Sequence, residues 1–332
     1  MTEIQQIILE ISSFEDIHKI QNDKPSSLSV YFDTQYLGPE KVTELSGLIQ
    51  EQTQLKDLTL ILNYNQMEDI GAIKLGQSLS NLKELQNLNL QLRGNHIGNQ
   101  GAIGLSEGFS ELKNLQKLNL NIVQNEIQQE QYFCLLSSLS KMMRLTEIKI
   151  VLQEIKSEGC KILCEALQKC NLLQSLNFDL VFNGIDQTGA AYIGQMLTQL
   201  HQLKKIQLNL FFNPIAKQGM EHIFAGLSEC KDLEYLYLNL CNTGEKGEEG
   251  GIILAKYINL FSKLKILFLL ISSSFIRDKG YEALQGAILN LKCLNKLYLA
   301  LDNNQINQNK KNSILSIFKR KSTKLIKFDV YI

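Results

Sequence analysis

The amino-acid sequence predicts an α/β fold: a solenoid, or horseshoe, with parallel strands on its concave face and helices on its convex face. The pattern LxxLxLxL recurs in ten copies at intervals of 28 to 31 residues, and half of the copies continue with xxNxI. Between the copies, apolar residues are spaced as on one side of a helix. A repeat of one strand and one helix cannot bury its apolar sides alone, so neighbouring repeats are expected to stack.

The strand half of a repeat is clearest in the copy that starts at Leu85. Leu88, Leu90 and Leu92 alternate with polar residues, which is the two-residue period of a strand with one buried face. The copies start at Leu55, Leu85, Leu115, Leu145, Leu173, Leu203, Leu233, Leu264, Leu294 and Leu325, and a degenerate copy covers Leu28, Val30 and Phe32. About eleven strand units are therefore expected in a repeat domain over residues 28–332.

An asparagine follows the strand in most copies. Its side-chain amide can bond to backbone groups of the turn, so stacked repeats are expected to form an asparagine ladder. The ladder positions are Asn65, Asn95, Asn125, Asn183, Asn213 and Asn304. The residues behind each asparagine, such as Leu105 and Phe109, are predicted to form the helix of the repeat.

Residues 1–27 are predicted to form an N-terminal helical cap. Over residues 3–20, the apolar residues with helical spacing are Ile4, Ile7, Ile8, Ile11 and Phe14. A cap of this kind covers the open apolar end of a first repeat.

The composition argues against several classes of function. The 34 basic and 34 acidic residues balance, so no net charge favours nucleic acid or an anionic membrane as a partner. The first residues lack the features of a signal peptide, and the apolar run Ile266–Ile271 is too short to span a bilayer. The four histidines lie in different repeats without a catalytic motif beside them. We expect an intracellular, cytoplasmic protein that is not an enzyme and needs no cofactor.

Seven cysteines are an odd number, which favours reduced thiols. Cys170, Cys230 and Cys293 lie shortly before a strand, where a small apolar side chain fills the end of the helix layer. Cys160 and Cys164 share one side of a predicted helix, but their spacing matches no zinc module. We expect no metal site.

Two copies depart from the pattern. The copy at Leu145 is two residues short and lacks the ladder asparagine, which predicts a bend near residues 153–156 and reflects either a tolerated deletion or a functional hinge. The copy at Leu233 has Thr243 at the ladder position and continues into Gly244–Gly251, which is predicted to be a mobile acidic loop.

Residues 310–327 predict a basic amphipathic helix at the end of the repeats. Its cationic residues include Lys310, Lys311, Lys319, Arg320 and Lys321. This basic side is either a solvated face or a docking site for an acidic partner.

The outward side chains of the strands change character along the chain. Early copies present polar residues such as Asn89 and Gln91, whereas the copies from Leu203 onward present aromatic and apolar ones. The candidate partner-binding residues are Phe211, Tyr235, Tyr237, Ile266, Phe268, Leu270, Tyr298 and Tyr331. Because adjacent strands lie about 4.8 Å apart, these columns are expected to form one patch.

The expected patch has a charged rim. The rim residues are Lys205, Lys296, Lys327, Asp302 and Asp329. An apolar surface rich in tyrosine and bordered by charge is typical of a protein-binding hot spot. The alternative is that another segment of the same chain covers it.

The motif LxxLxLxLxxNxI followed by a Gly-Ala-x-x-Leu helix resembles the ribonuclease-inhibitor-like subfamily of leucine-rich repeat proteins over nearly the whole chain. Two extra residues before the asparagine lengthen the repeat to about thirty. The resemblance implies relatives such as enzyme inhibitors, a Ran GTPase-activating protein, immune receptors and subunits of ciliary dynein-regulatory assemblies. Fold transfers across such a family, whereas function does not.

The functional hypothesis is therefore a non-catalytic interaction module or scaffold subunit that binds a protein partner through its C-terminal concave face. The resemblance implies a larger assembly, with an axonemal or cytoskeletal location. The alternative is a regulator of the GTPase-activating or enzyme-inhibitor type. The Ran GTPase-activating protein typically carries an acidic C-terminal tail. The C-terminus of this chain is basic instead, and the chain has only four arginines.

Overall fold

The computed structural model describes residues 7–244, 247–274, 276–307, 310 and, for the backbone alone, 327–331. The chain forms two compact units where the sequence predicts one repeat domain. The first unit comprises Met1–Gln153 and Glu165–Leu172, and the second comprises Glu154–Cys164 and Leu173–Ile332. The division falls at the end of the shortened copy that starts at Leu145.

The first unit is a layer of parallel strands against helices. Each strand pairs with the next one along the chain. The strands are β1 (Ile8–Ile11), β2 (Ser27–Tyr31), β3 (Asp57–Ile61), β4 (Asn87–Gln91), β5 (Lys117–Asn121) and β6 (Glu147–Val151). The helices are α1 (His18–Asp23), α2 (Gly38–Gln50), α3 (Glu68–Asn81), α4 (Asn99–Ser110) and α5 (Gln129–Ser138), with 3-10 turns at Phe14–Asp16 and Leu139–Lys141. Helix α6 (Lys156–Leu167) is divided between the two units.

The second unit repeats this arrangement, again with each strand parallel to the next. Its strands are β7 (Ser175–Asp179), β8 (Lys205–Asn209), β9 (Tyr235–Asn239), β10 (Ile266–Leu270), β11 (Lys296–Ala300) and β12 (Lys327–Tyr331). Its helices are α7 (Gln187–Leu197), α8 (Ala216–Ser228), α9 (Gly247–Ile258) and α10 (Arg277–Leu289).

The alternating leucines form the core between strands and helices. Leu88 and Leu90 of β4 pair in register with Leu118 and Leu120 of β5, and all four side chains are at most 2% exposed. Burying each leucine contributes about 1.5 to 3 kcal/mol, and stacking is what buries it. The intervening residues are only partly buried, so each strand has one face in the core and one outside.

The ladder asparagines join consecutive repeats through backbone hydrogen bonds. Asn95 Nδ2 donates to the Leu62 carbonyl (2.8 Å), and its Oδ1 accepts from the Asn65 amide (3.0 Å). Asn213 donates to the Leu180 carbonyl (2.7 Å) and accepts from the Asn183 amide (3.1 Å). The equivalent residues Asn65, Asn125, Asn183 and Asn304 accept amide hydrogen bonds in the same way. Buried amides that water cannot reach are thereby satisfied.

The prediction of an N-terminal helix over residues 3–20 is wrong for the central part of that range. Residues Ile8–Ile11 form β1, which pairs with β2, and α1 covers only His18–Asp23. The backbone edge of β2 offers unpaired hydrogen-bonding groups, and a strand rich in isoleucine satisfies them. Apolar spacing alone does not separate so short a strand from a helix.

The prediction of a loop at residues 244–251 is also wrong from residue 247 onward. Gly247–Ile258 form α9, and Glu248 and Glu249 lie in its first turn. Carboxylates are stabilised there by the helix dipole. Glu249 also forms an ion pair with Lys217 of the preceding repeat.

From β2 to α10, each described repeat thus consists of a strand with buried leucines or other apolar residues, a turn and a helix. The fold is the predicted α/β leucine-rich repeat solenoid. Among the residues that the structure describes, no helix combines the length and apolar character that a membrane span requires.

Candidate functional site

We use the term strand face for the side of a strand layer that points away from the helices. On the second unit, the backbone register places Tyr237 opposite Phe268 and Phe268 opposite Tyr298. Tyr235 lies one outward position earlier and pairs with Ile266. Side chains that are thirty or thirty-one residues apart in the sequence are therefore lateral neighbours on this face.

Four rings on β9, β10 and β11 form a contiguous group, the aromatic row: Tyr235, Tyr237, Phe268 and Tyr298. The Phe268 ring centre lies 5.9 Å from that of Tyr235, 6.1 Å from that of Tyr237 and 5.7 Å from that of Tyr298. The interplanar angles of 28° to 40° are those of tilted and offset rings. Such pairs contribute about 0.5 to 1.5 kcal/mol beyond area burial, so Phe268 is the centre of a preorganised surface.

The rings of the aromatic row cover one another in part. All four are half-buried, as are Ile266 and Leu270 on either side of Phe268. Desolvation raises the pKa of Tyr235 and of Tyr237 above the ordinary tyrosine value. Both tyrosines are therefore uncharged near neutral pH, and their rings form an apolar surface with polar hydroxyls.

Phe211 belongs to a different group of rings. It packs edge-on against Phe212 (4.6 Å between centres) and Phe182 (6.0 Å), and Phe182 stacks on Phe212 at 4.5 Å. We call these three residues the phenylalanine cluster. In the neighbouring column position beside Phe211 lies Cys241, not an aromatic residue. The single aromatic patch predicted from the sequence thus includes two ring groups.

Sequence reasoning missed Phe182 and Phe212. They are 60% and 45% exposed, and each directly precedes a ladder asparagine. Both have left-handed backbone conformations, with φ of 55° and 56°, which bulky residues rarely adopt. The available signal was an aromatic residue at a turn position where other repeats have Gly94 or Asn242.

For the last strand, β12, the structure describes the backbone alone. β12 pairs with β11 so that Asp329 lies opposite Tyr298 and Tyr331 opposite Ala300. The side chains of Lys327, Asp329 and Tyr331 lie outside the description. Their part in the patch stays a prediction.

The strand face of the first unit, which we call the amide face, has a different chemistry. Asn119 Nδ2 and Gln91 Nε2 both donate to Asn89 Oδ1 at 2.8 Å. Asn87 donates to Asp57, and Lys117 Nζ lies 2.8 Å from Glu147 Oε1. These polar groups bond to one another, so a partner must compete with them for hydrogen bonds. Asn119 Oδ1 is the exception, because it is buried and accepts no hydrogen bond from a described group.

The cysteines have no arrangement that suggests chemistry. Burial raises the pKa of the Cys170 thiol to about 11 and that of Cys230 to about 12, so neither is a thiolate at neutral pH. Cys293 is exposed, contrary to the prediction that it fills the helix layer. Within the described ranges, no three His, Cys, Asp or Glu side chains form a group that could hold a metal ion.

The predicted basic end helix lies almost wholly outside the described residues. Of this predicted helix the structure describes Lys310, whose Nζ lies 2.7 Å from Glu282 and 3.4 Å from Asp278. The other cationic residues, Lys311, Lys319, Arg320 and Lys321, are not described. Docking of an acidic partner at this helix stays a prediction.

Comparison with known proteins leaves the function open. No family model matches the chain, and no curated protein matches it. Among solved structures, the chain is similar to one described as a crystal structure of a TLR13-ssRNA13 complex, with 14% sequence identity and a TM-score of 0.40. The match covers 93% of this chain and 36% of that one, so the chain spans about a third of that protein's length. A likeness this remote bears on neither partner nor activity.

Proposed function

We propose that this chain is a non-catalytic interaction module that binds a protein partner through the strand face of its second unit. One observation supports this most directly. In the aromatic row, three tyrosine rings pack against Phe268 at the middle of a strand face, where the scaffold needs no apolar residue. The binding residues in this proposal are the aromatic row with Ile266, Leu270, Phe211 and Tyr331.

Desolvation favours the aromatic row over the amide face as the binding surface. Covering half-buried rings and aliphatic side chains removes apolar surface from water at little polar cost. Covering the amide face disturbs the hydrogen bonds at Asn89 and the Lys117–Glu147 ion pair. Preformed rings also lose little side-chain entropy when a partner binds.

Affinity purification with cross-linking mass spectrometry from native cells tests the proposal. The bait variants are wild type, Phe268→Asp, and Asn89→Asp as a matched control, because residues 268 and 89 are both the middle residue of their strand. A common partner is expected with wild type and Asn89→Asp, cross-linked through Lys205 and Lys296, and lost with Phe268→Asp. Circular dichroism confirms that each bait is folded.

Two results contradict the proposal. One is retention of all partners by Phe268→Asp. The other is an equal loss of partners in both variants, which would mean that the aromatic row has no special role.

We further infer that the module belongs to the ribonuclease-inhibitor-like branch of leucine-rich repeat proteins and serves as a subunit of a larger assembly. The support is the repeat motif, and an axonemal or cytoskeletal location has the same basis. The regulator alternative has weaker support, because Arg93 is already engaged: its Nε donates to Gln124 (2.9 Å), and its guanidinium lies 5.6 Å from the Tyr64 ring centre. Co-migration of the untagged chain with much larger complexes tests the assembly.

We also place the module in the cytoplasm. All seven cysteines are free, and most are buried, which fits a reducing compartment. Fluorescence microscopy of the tagged chain in its native cells tests this location.

A further inference from the structure

The aromatic row has a cationic border at the side where the strands begin. The first outward residues of β8, β9, β10 and β11 are Lys205, Tyr235, Ile266 and Lys296. Both lysines are exposed, and they flank the two apolar residues. With about 4.8 Å between strands, the two lysine backbones lie about 14 Å apart.

Neither border lysine forms an ion pair with any side chain that the structure describes. Lys205 Nζ instead lies 5.2 Å from the Tyr235 ring centre. The equivalent lysine of the first unit is different, because Lys117 at the start of β5 is paired with Glu147 of β6. The same strand position is thus neutralised in one unit and cationic in the other.

Nearby carboxylates do not neutralise this border. Asp232 is engaged by Lys263 (2.5 Å) and Glu234 by Lys265 (2.8 Å). Hydrogen bonds from these lysines lower the pKa of both carboxyl groups, so both are ionised at neutral pH. With exposed Lys204 beside them, the described side chains at the starts of β8 to β11 include five lysines and two carboxylates: Lys204, Lys205, Lys263, Lys265 and Lys296 against Asp232 and Glu234.

The opposite border of the face is acidic. Asp179 ends β7 and accepts a hydrogen bond from Asn209 (3.1 Å). Asp302 lies two residues beyond β11 and accepts one from Ser272 (3.3 Å). Between the two borders, Tyr237, Phe268 and Tyr298 provide an uncharged centre.

We propose that the aromatic row binds an acidic and apolar segment of a partner protein, with the carboxylates beside Lys205 and Lys296 and the apolar side chains on Phe268 and its neighbours. This inference rests on the proposed function and specifies the chemistry of the partner. Complementary charge at the rim of an apolar site accelerates encounter and fixes orientation. The two oppositely charged borders therefore also determine which end of the segment lies at the strand starts.

A protein segment fits this surface better than a single-stranded nucleic acid. Nucleic-acid grooves follow a phosphate backbone with a series of cations and stack bases on aromatic rings. Here the cations lie along one border, and the middle outward residues of β8 to β11, which are Gln207, Tyr237, Phe268 and Tyr298, carry no charge. A segment with carboxylates on one side and apolar residues on the other matches that separation.

Selection of displayed random peptides on the full chain tests the proposal, with oligouridylate as the nucleic-acid probe. The selected peptides are measured against wild type, Phe268→Asp and the double variant Lys205→Glu/Lys296→Glu. Lys117→Glu is the matched control, since it makes the same change at the same strand position of the first unit. Thermal melts by circular dichroism establish that each variant is folded.

We expect the enriched peptides to combine Asp or Glu with apolar residues and to bind wild type and Lys117→Glu alike. The double charge reversal should weaken their binding by about tenfold or more, and Phe268→Asp should abolish it. Added salt should weaken binding to the wild type, because exposed charges are screened.

The outcomes separate this inference from the proposed function. Peptides that need Phe268 but are not acidic, or that bind the double variant equally well, overturn the partner chemistry and leave the proposed function standing. If no selected peptide depends on Phe268, the proposed function fails and this inference fails with it. Oligouridylate binding that is lost in both variants, without acidic peptides, assigns the surface to nucleic acid and overturns the proposal.

Discussion

The amide face and the aromatic row lie in different repeats, but their residues occupy equivalent positions of the repeat pattern. On β4 and β5 the middle outward residues are Asn89 and Asn119, which bond to each other. On β10 and β11 they are Phe268 and Tyr298, whose rings stack. The backbone register is the same in both cases, so the scaffold tolerates either chemistry.

This comparison shows which residues of the repeat are constrained by folding. The inward leucines are buried, as are five of the six ladder asparagines, and Asn125 is half-buried; these residues hold neighbouring repeats together. The outward positions contribute little to the core, so they can diverge without loss of the fold. Aromatic side chains there need an explanation outside the scaffold, and partner binding provides one.

The largest expected effect is on binding. Tyr237→Ala and Tyr298→Ala should each weaken binding of the captured partner about thirtyfold, or about 2 kcal/mol, because each removes a ring from a preformed hot spot. Asn119→Ala on the amide face should change the affinity less than about twofold. Isothermal titration calorimetry with the purified partner measures all three. Equal losses on the two faces would remove the distinction between them.

A second prediction concerns the scaffold, where the two units should behave alike. Asn95→Ala and Asn213→Ala each leave backbone amides of the preceding repeat without an acceptor. Each should lower the free energy of unfolding by about 1 to 3 kcal/mol. Urea unfolding followed by circular dichroism measures this. An unchanged midpoint in either variant would contradict the role of the asparagine ladder in that unit.

The start of a helix offers a smaller test. Asp186 caps α7 by accepting from the amides of Thr188 (2.8 Å) and Gly189 (3.1 Å), and Asp186→Ala should cost about 1 kcal/mol. In the first unit the same task falls to a carboxylate of the previous helix, since Asp69 accepts from the amides of Gly98 and Gly101, both at 2.7 Å. Asp69→Ala should therefore have a similar effect, measured by the same urea unfolding.

The cap also has a predictable pH dependence. The hydrogen bond from the Ser157 hydroxyl, with those from the backbone amides, lowers the pKa of Asp186. A lowered pKa stabilises the fold above the ordinary pKa of the carboxyl group, and this contribution is lost as the pH falls through the folded-state value. The stability difference between wild type and Asp186→Ala should therefore shrink in acid. A constant difference down to low pH would contradict the assignment.

The smallest effect is in alkaline solution. Since desolvation raises the pKa of Tyr235 and Tyr237, the folded state holds their protons more tightly than the unfolded state. Stability from this source is present below the ordinary tyrosine pKa and falls as the pH rises toward the folded-state values. An ultraviolet titration of Tyr235→Phe/Tyr237→Phe should lose part of the absorbance change that occurs above the ordinary tyrosine pKa. The remaining late part belongs to buried Tyr281, whose pKa burial also raises. An unchanged titration curve would mean that these rings are not desolvated.

Most of the repeat scaffold was predictable because its determinants are local and periodic. A leucine every second residue and an asparagine shortly after it specify the strand, the buried face and the turn within a dozen residues, as at Leu88–Asn95. The aromatic row was predictable for the same reason, since the same outward columns recur in every copy. Because Tyr237, Phe268 and Tyr298 occupy the same position in three consecutive copies, the sequence predicts that they are lateral neighbours on the strand face.

The predictions failed where a long-range contact outweighed local spacing. The isoleucines at 8 and 11 have the spacing of a helix, yet the free edge of β2 recruits them as a strand. The glycines and glutamates at 247–251 have the composition of a loop, yet they begin α9, whose buried Gly251 packs against the backbone of Gly280 in α10. In both places a partner element distant in sequence determines the local conformation.

The sequence by itself determined the leucine-rich fold, the asparagine ladder and the contrast between a polar and an aromatic strand face, because each depends on a short repeated pattern. Only the tertiary structure decided which rings touch and that Phe211 joins Phe182 and Phe212 instead of the aromatic row. It also decided that Lys117 is neutralised by Glu147, whereas Lys205 and Lys296 form no ion pair with a described side chain. Contacts between side chains depend on lateral register and turn conformation, which place residues about thirty positions apart within a few ångströms of each other.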